Sequence, residues 1–174
     1  MKKFWVIIAL SSVFFSFDLS KSAAKKMNRT LAKLWPEQTI TKKSINISPA
    51  LQKKLSFTLE NNSFYSIIKN SKSEAYLFLS KGKGKMNVFD YMVVFKKDLS
   101  ILKVKVLVYR EEYGGEIGSG RWLKQFIGKS DPAKMKFGHD IQNISGATIS
   151  ARSLTEDVKK VTRQVIELKK KGII

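Results

Sequence analysis

The chain has 174 residues, 43% hydrophobic and 11% aromatic, and carries a formal net charge of +19. That length and apolar content exclude a disordered tail and fit one domain with a real core. There is no Cys and a single His, His139, which excludes a disulfide framework and a lipid-anchored N-terminal Cys and argues against a zinc or haem site that needs several soft or imidazole ligands.

The N-terminus opens with Lys2 and Lys3, followed by an apolar run from Phe4 to Phe17 that is broken only by Ser11, Ser12 and Ser16. The run is shorter than the ~20 residues of a membrane-spanning helix and has the order of regions found in a secretory signal. Ser22, Ala23 and Ala24 supply small residues for cleavage. Residues 1–24 are therefore read as a signal peptide or, uncleaved, as an N-terminal anchor, and residues 25–174 as a single domain. Either reading puts the body on the extracytoplasmic side, in the periplasm or at the cell envelope.

Further along, NRTLAKLWPEQ predicts a short helix that stops near Pro36, and SPALQKKLSFTLE predicts another with Pro49 in its first turn. Three strands are expected next, in SEAYLFLS (Ser73 to Ser80), FDYMVVF (Phe89 to Phe95) and ILKVKVLVY. In the last, Leu102, Val104, Val106 and Val108 alternate with Lys103 and Lys105, the period of a half-buried strand. Short turn-like connections favour antiparallel pairing. The expected class is α+β, an antiparallel sheet with flanking helices.

Two glycine-containing stretches fail as nucleotide motifs. GKGKMN lacks the third glycine of a dinucleotide fingerprint, and IGKS, ending at Ser130, has Leu123 where a phosphate loop needs its first glycine. Glu111, Glu112 and Glu116 read as ordinary loop acids beside a Gly-Gly turn rather than a calcium or acid/base cluster. The lysines are scattered and mostly not interleaved with aromatics, so no nucleic-acid partner is expected. A field this positive would suit an anionic membrane surface.

The C-terminal segment NISGATISARSLTED is sharper. Ser153 and Glu156 have the spacing of a capping box, and Val158, Val161, Val165 and Leu168 form one helical stripe. The SGATIS stretch thus lies just before, or within the first turn of, an amphipathic helix. Free N–H groups and the positive end of the helix dipole suit a phosphate there. Gly146 and Ala147 would let a bulky group approach, and Ser145, Thr148 and Ser150 offer hydroxyls. The residues alone leave two readings open, a plain loop entering a capped helix and a phosphate site.

The segment ISGATISARSLTEDV resembles the S-G-A-T motif of the FMN-binding domain family, in which the C subunit of the sodium-pumping NADH:quinone oxidoreductase and the G subunit of the RNF complex are placed. YREEYGGEIGSGRWLKQFIGK is similar to that family's E-x-x-G loop and the aromatic segment after it. The resemblance spans about Ala75 to Val165. It implies an FMN carried on Thr148 through a phosphoester bond and installed by a flavin transferase that uses FAD. Ser145, Gly146, Ala147, Ser150, Glu111, Gly114 and Trp122 would then surround the flavin, with Phe126 packed nearby and no metal ligands or catalytic residues of the chain's own. Gln142 stands where family members usually have Asp. The resemblance implies an electron-transfer protein or redox subunit with a membrane redox partner, rather than a stand-alone enzyme. A flavin-free basic binding or scaffold domain at the cell envelope is the alternative.

Overall fold

A computed structural model describes residues 17–36 and 38–174. Its elements are α1 (Lys21–Leu34), β1 (Ile40–Ser44), α2 (Pro49–Gln52), β2 (Phe64–Lys69), β3 (Lys72–Lys83), β4 (Val88–Lys96), β5 (Ile101–Val108), α3 (Gly120–Leu123) and α4 (Thr148–Lys170). The five strands form one antiparallel sheet in the order β1-β2-β3-β4-β5. The expected α+β class holds. The tight connections use positive φ, at Asn70 and Ser71 between β2 and β3 and at Leu99 between β4 and β5.

Alternation along β4 loads both faces of the sheet. Phe89, Tyr91, Val93 and Phe95 face α4 with Ala151, Leu154, Val158, Val161, Val165 and Leu168, while Met92 and Val94 face α1 with Ala23, Met27 and Leu31. The stripe predicted on α4 is fully inside the protein. Each buried Val or Leu of this kind contributes roughly 1.5–3 kcal/mol, so α4 is held by packing rather than by helix propensity.

Three sequence expectations need correction. The alternation in β5 is interrupted by irregularities in its pairing with β4, so Ile101, Val104 and Val106 join the α4 side while Leu102 and Val108 pack on the α1 side. An extra residue in one strand flips every side chain beyond it to the other face. The capping box does not form: α4 starts at Thr148, so Ser153 lies within the helix, and its hydroxyl accepts from the Lys83 N–H at 3.0 Å. Glu156 pairs with Lys159 instead. The second predicted helix is a single turn, with Ser48 accepting from the Leu51 N–H ahead of Pro49. β1 and β2 were not expected at all.

At the N-terminal side, Phe17 is buried and donates its N–H to the Asn61 carbonyl at 2.8 Å, Ser20 caps α1 through the Ala23 N–H, and Ala23 is fully buried. The packed residues therefore begin upstream of the expected boundary at residue 24. The apolar run read as a signal or anchor otherwise lies outside the described residues. Among the described residues no helix is long and apolar enough to cross a membrane.

Candidate functional site

The chain leaves β5 at Val108 and bends at Glu112 and Tyr113, placing residues 109–114 beside the N-terminal end of α4. The tip of the β3–β4 hairpin closes the third side. Between them lies a cleft of about 650 Å³, walled by Lys85, Met86 and Asn87 from the hairpin, by Tyr109, Glu111 and Tyr113, and by Gly146 to Ser150. That size is typical of small-molecule and cofactor sites.

The floor is the start of α4. Ala147 occupies the cap position and supplies no side-chain cap. Among the described residues no protein group accepts the N–H bonds of Thr148, Ile149 or Ser150. A 23-residue helix thus presents unpaired donors and its positive dipole end to the cleft. The Thr148 side chain is exposed, and its Oγ1 donates to the Ile144 carbonyl at 3.3 Å. Ser150 is buried, with Oγ 3.0 Å from the Tyr109 hydroxyl.

Tyr109 was missed in the sequence, although its place directly after a strand and its aromatic bulk marked it as a packing residue. Its hydroxyl donates to the Tyr113 carbonyl at 3.1 Å, so the shared proton in the 3.0 Å contact with Ser150 comes from Ser150. Gly114 follows at φ +80°, where a Cβ would stand 3.0 Å from that hydroxyl and 3.1 Å from the Ala147 Cβ. Only glycine meets both the backbone angle and the close approach.

Glu111 reaches the cleft, but its carboxylate is engaged. Oε1 accepts the N–H of Met86 at 2.7 Å and of Asn87 at 2.9 Å. A Cβ on Gly84 would stand 2.2 Å from the same oxygen and 2.8 Å from the Asn87 carbonyl, which explains the second glycine of GKGKMN as a packing requirement. The Asn87 and Met86 amides, in that order, hold the carboxyl below its ordinary range. Behind it, Arg110 donates to the Val88 carbonyl at 3.0 Å and to the buried Asp90 at 2.6 Å. Residues 110 and 111 therefore pin the hairpin tip that carries Met86.

Of the residues singled out in the sequence, Thr148, Gly146, Ala147, Ser150 and Glu111 meet at the cleft, and Gly114 packs directly behind it. Ser145 is exposed on the preceding turn and does not line it. Trp122 is buried outside the cleft, edge-on to Phe126, and its indole N–H donates to the Gln142 carbonyl at 2.7 Å. It supports the segment leading into SGAT. No group of three or more His, Asp or Glu able to hold a metal occurs among the described residues.

A sheet end, a turn and an uncapped helix N-terminus around an apolar-rimmed cleft define a domain built to hold an anionic cofactor. Residues 84–163 match the FMN-binding domain family. Its cofactor is FMN. No curated protein matches the chain. The site suits the group: the free N–H donors and Lys85 complement a phosphate, and Met86, Tyr113 and Ile149, which are 81%, 82% and 55% exposed, offer apolar surface for a planar ring.

Proposed function

We propose that this protein is an exported flavoprotein domain that carries FMN on Thr148 through a phosphoester bond and serves as an electron-transfer module. The observation that carries the reading is the position of Thr148, an exposed hydroxyl on the first residue of α4 at the mouth of the cleft. Of the neighbouring hydroxyls, Ser150 is buried against Tyr109 and Ser145 lies outside the cleft lining. Only Thr148 combines access with a place beside the helix donors.

A Thr hydroxyl is a weak nucleophile without a base or metal, and no base stands in hydrogen-bond contact with Thr148 Oγ1 among the described residues. An external flavin transferase therefore supplies activation. Thr148 Oγ1 bonds to the phosphorus of the FMN half of FAD, the pyrophosphate bond breaks, AMP leaves and the hydroxyl proton passes to the transferase. The bound flavin supplies one- and two-electron redox chemistry. The chain's own residues tether it, orient it and set the local charge. Export is supported by the basic start and short apolar run of residues 1–17, and a membrane redox partner fits that location.

Co-expression with a flavin transferase, followed by intact mass and peptide mapping, tests the reading. Wild-type chain should gain one FMN less one water on the peptide containing Thr148. Thr148→Ala should remain folded and gain nothing, Thr148→Ser should retain some loading, and Ser145→Ala and Ser150→Ala should still be loaded. A colourless wild-type protein would favour the flavin-free scaffold, and loading of Thr148→Ala would move the attachment to another hydroxyl.

A further inference from the structure

The two faces of the sheet are finished differently. α4 covers one and presents the cleft at its N-terminal end, whereas α1 covers the other with Ala23, Met27 and Leu31 turned inward. The outward surface of α1 carries Lys21, Lys25, Arg29 and Lys33, all exposed and spaced four residues apart. Such spacing keeps side chains on one side of a helix, here over about 18 Å. No acidic residue lies in the first turn, and Lys21 occupies it, where the helix dipole makes a cation least favourable. None of the four makes an ion pair with a carboxylate among the described residues.

Further cations flank the stripe. Lys42 of β1 donates to Asn28 of α1 at 2.8 Å, and Lys105 of β5 lies close enough to Lys26 to add to the effect of burial in lowering the Lys26 pKa. The carboxylates Glu74 and Asp98 lie beyond the C-terminal end of α1, where they border a groove with Leu34 and Trp35. The fold gains nothing from concentrating like charge on this helix. The chain is clamped at Phe17, immediately before α1, by its N–H to Asn61 and by Lys81 over its ring at 5.2 Å. The apolar sequence Phe4 to Phe17 thus joins the body at the N-terminal end of the same helix.

We propose that the outer face of α1 docks on an anionic phospholipid surface, with Lys21, Lys25, Arg29 and Lys33 against the head groups. An anionic surface relieves the mutual repulsion of the stripe and is attracted by each of its charges. Docking through α1 leaves the sheet between the lipid and α4, so Thr148 and its cleft are carried on the far side of the sheet from the membrane.

The absence of Cys permits single-site labelling of the full chain. A fluorophore on Lys33→Cys sits at the end of α1 remote from the apolar run, so it reports docking of the face rather than tethering alone. A second fluorophore on Lys134→Cys lies in the turn packed against α4. On vesicles of phosphatidylcholine with phosphatidylglycerol, a head-group quencher should quench the label at 33 and spare the label at 134. The combined Lys21→Gln, Lys25→Gln and Arg29→Gln variant should release the label at 33, with the ratio of docked to undocked protein falling on the order of a hundredfold, about fivefold per cation. Neutralising the exposed Lys54, Lys72 and Lys170 should leave contact in place, and 0.5 M salt should weaken it. An unquenched label at 33, equal quenching on phosphatidylcholine alone, or equal release by the two triple variants would overturn the proposal.

Discussion

The Tyr109 hydroxyl lies 3.0 Å from Ser150 Oγ and donates to the Tyr113 carbonyl at 3.1 Å, so one phenol joins the loop after β5 to the first turn of α4. The ring also packs on Phe89 at 5.8 Å between centroids. The width of the cleft is set across this contact. Ser150 is thereby committed to structure, leaving Thr148 as the accessible hydroxyl of the turn.

Tyr109→Phe keeps the ring and removes both hydrogen bonds. Stability should fall by about 1–2 kcal/mol in denaturant titration, and amide exchange should accelerate in residues 112–115. Loading of Thr148 should persist. Unchanged stability and exchange would show that the hydroxyl does not hold the loop.

Gly114→Ala places a methyl group 3.0 Å from the Tyr109 hydroxyl at φ +80°. The left-handed backbone and the crowding should together cost about 1–2 kcal/mol. In loaded protein the flavin absorbance or potential should shift, because the displaced neighbours wall the cleft. A loaded variant with wild-type spectrum and potential would remove this loop from the flavin's surroundings.

Glu111 gives the hairpin a defined response to acid. Its folded pKa lies below the ordinary value because the Asn87 and Met86 amides favour the carboxylate. Its contribution is therefore present above the ordinary carboxylate value and is lost as pH falls through the lowered one. Exchange of the Met86 and Asn87 amides, compared with the intrinsic rate at each pH, should show protection near neutrality that disappears in acid. Glu111→Ala should abolish it at every pH while the sheet remains protected.

Asp157 has the opposite sign. Desolvation by α4 and the sheet raises its pKa from 3.8 to about 6, opposed by Lys160 and by a contact with Tyr91. The buried Tyr91 hydroxyl forms no hydrogen bond of ordinary geometry. The native state retains the Asp157 proton more strongly than the unfolded chain, so stability should decline as pH rises between roughly 4 and 6 and level off above. Asp157→Asn should flatten that decline and stabilise the protein near pH 7 by about 1–2 kcal/mol, the value allowed after solvent screening. Urea titrations from pH 4 to pH 8 would measure it, and a variant less stable at pH 7 would contradict the sign.

What the sequence by itself determined was whatever depends on local period and local chemistry. The Val158, Val161, Val165 and Leu168 stripe, the strands around Phe78, Val93 and Val104, and the hydroxyl-bearing turn at Thr148 are each legible within a window of a few residues, because a helix or strand repeats its inward face at a set spacing. The tertiary structure decided what depends on distant partners. β1 has little apolar alternation in ITKKS and exists because β2 offers it an edge. Ser153 looks like a cap until Lys83, 70 residues away, takes its oxygen. Glu111 reaches the cleft with its carboxylate already taken by the hairpin amides, and Trp122 donates to Gln142 from outside the cleft lining. A hydrogen-bonding side chain serves whichever donor or acceptor the fold brings within about 3 Å, and spacing along the chain carries no record of that meeting.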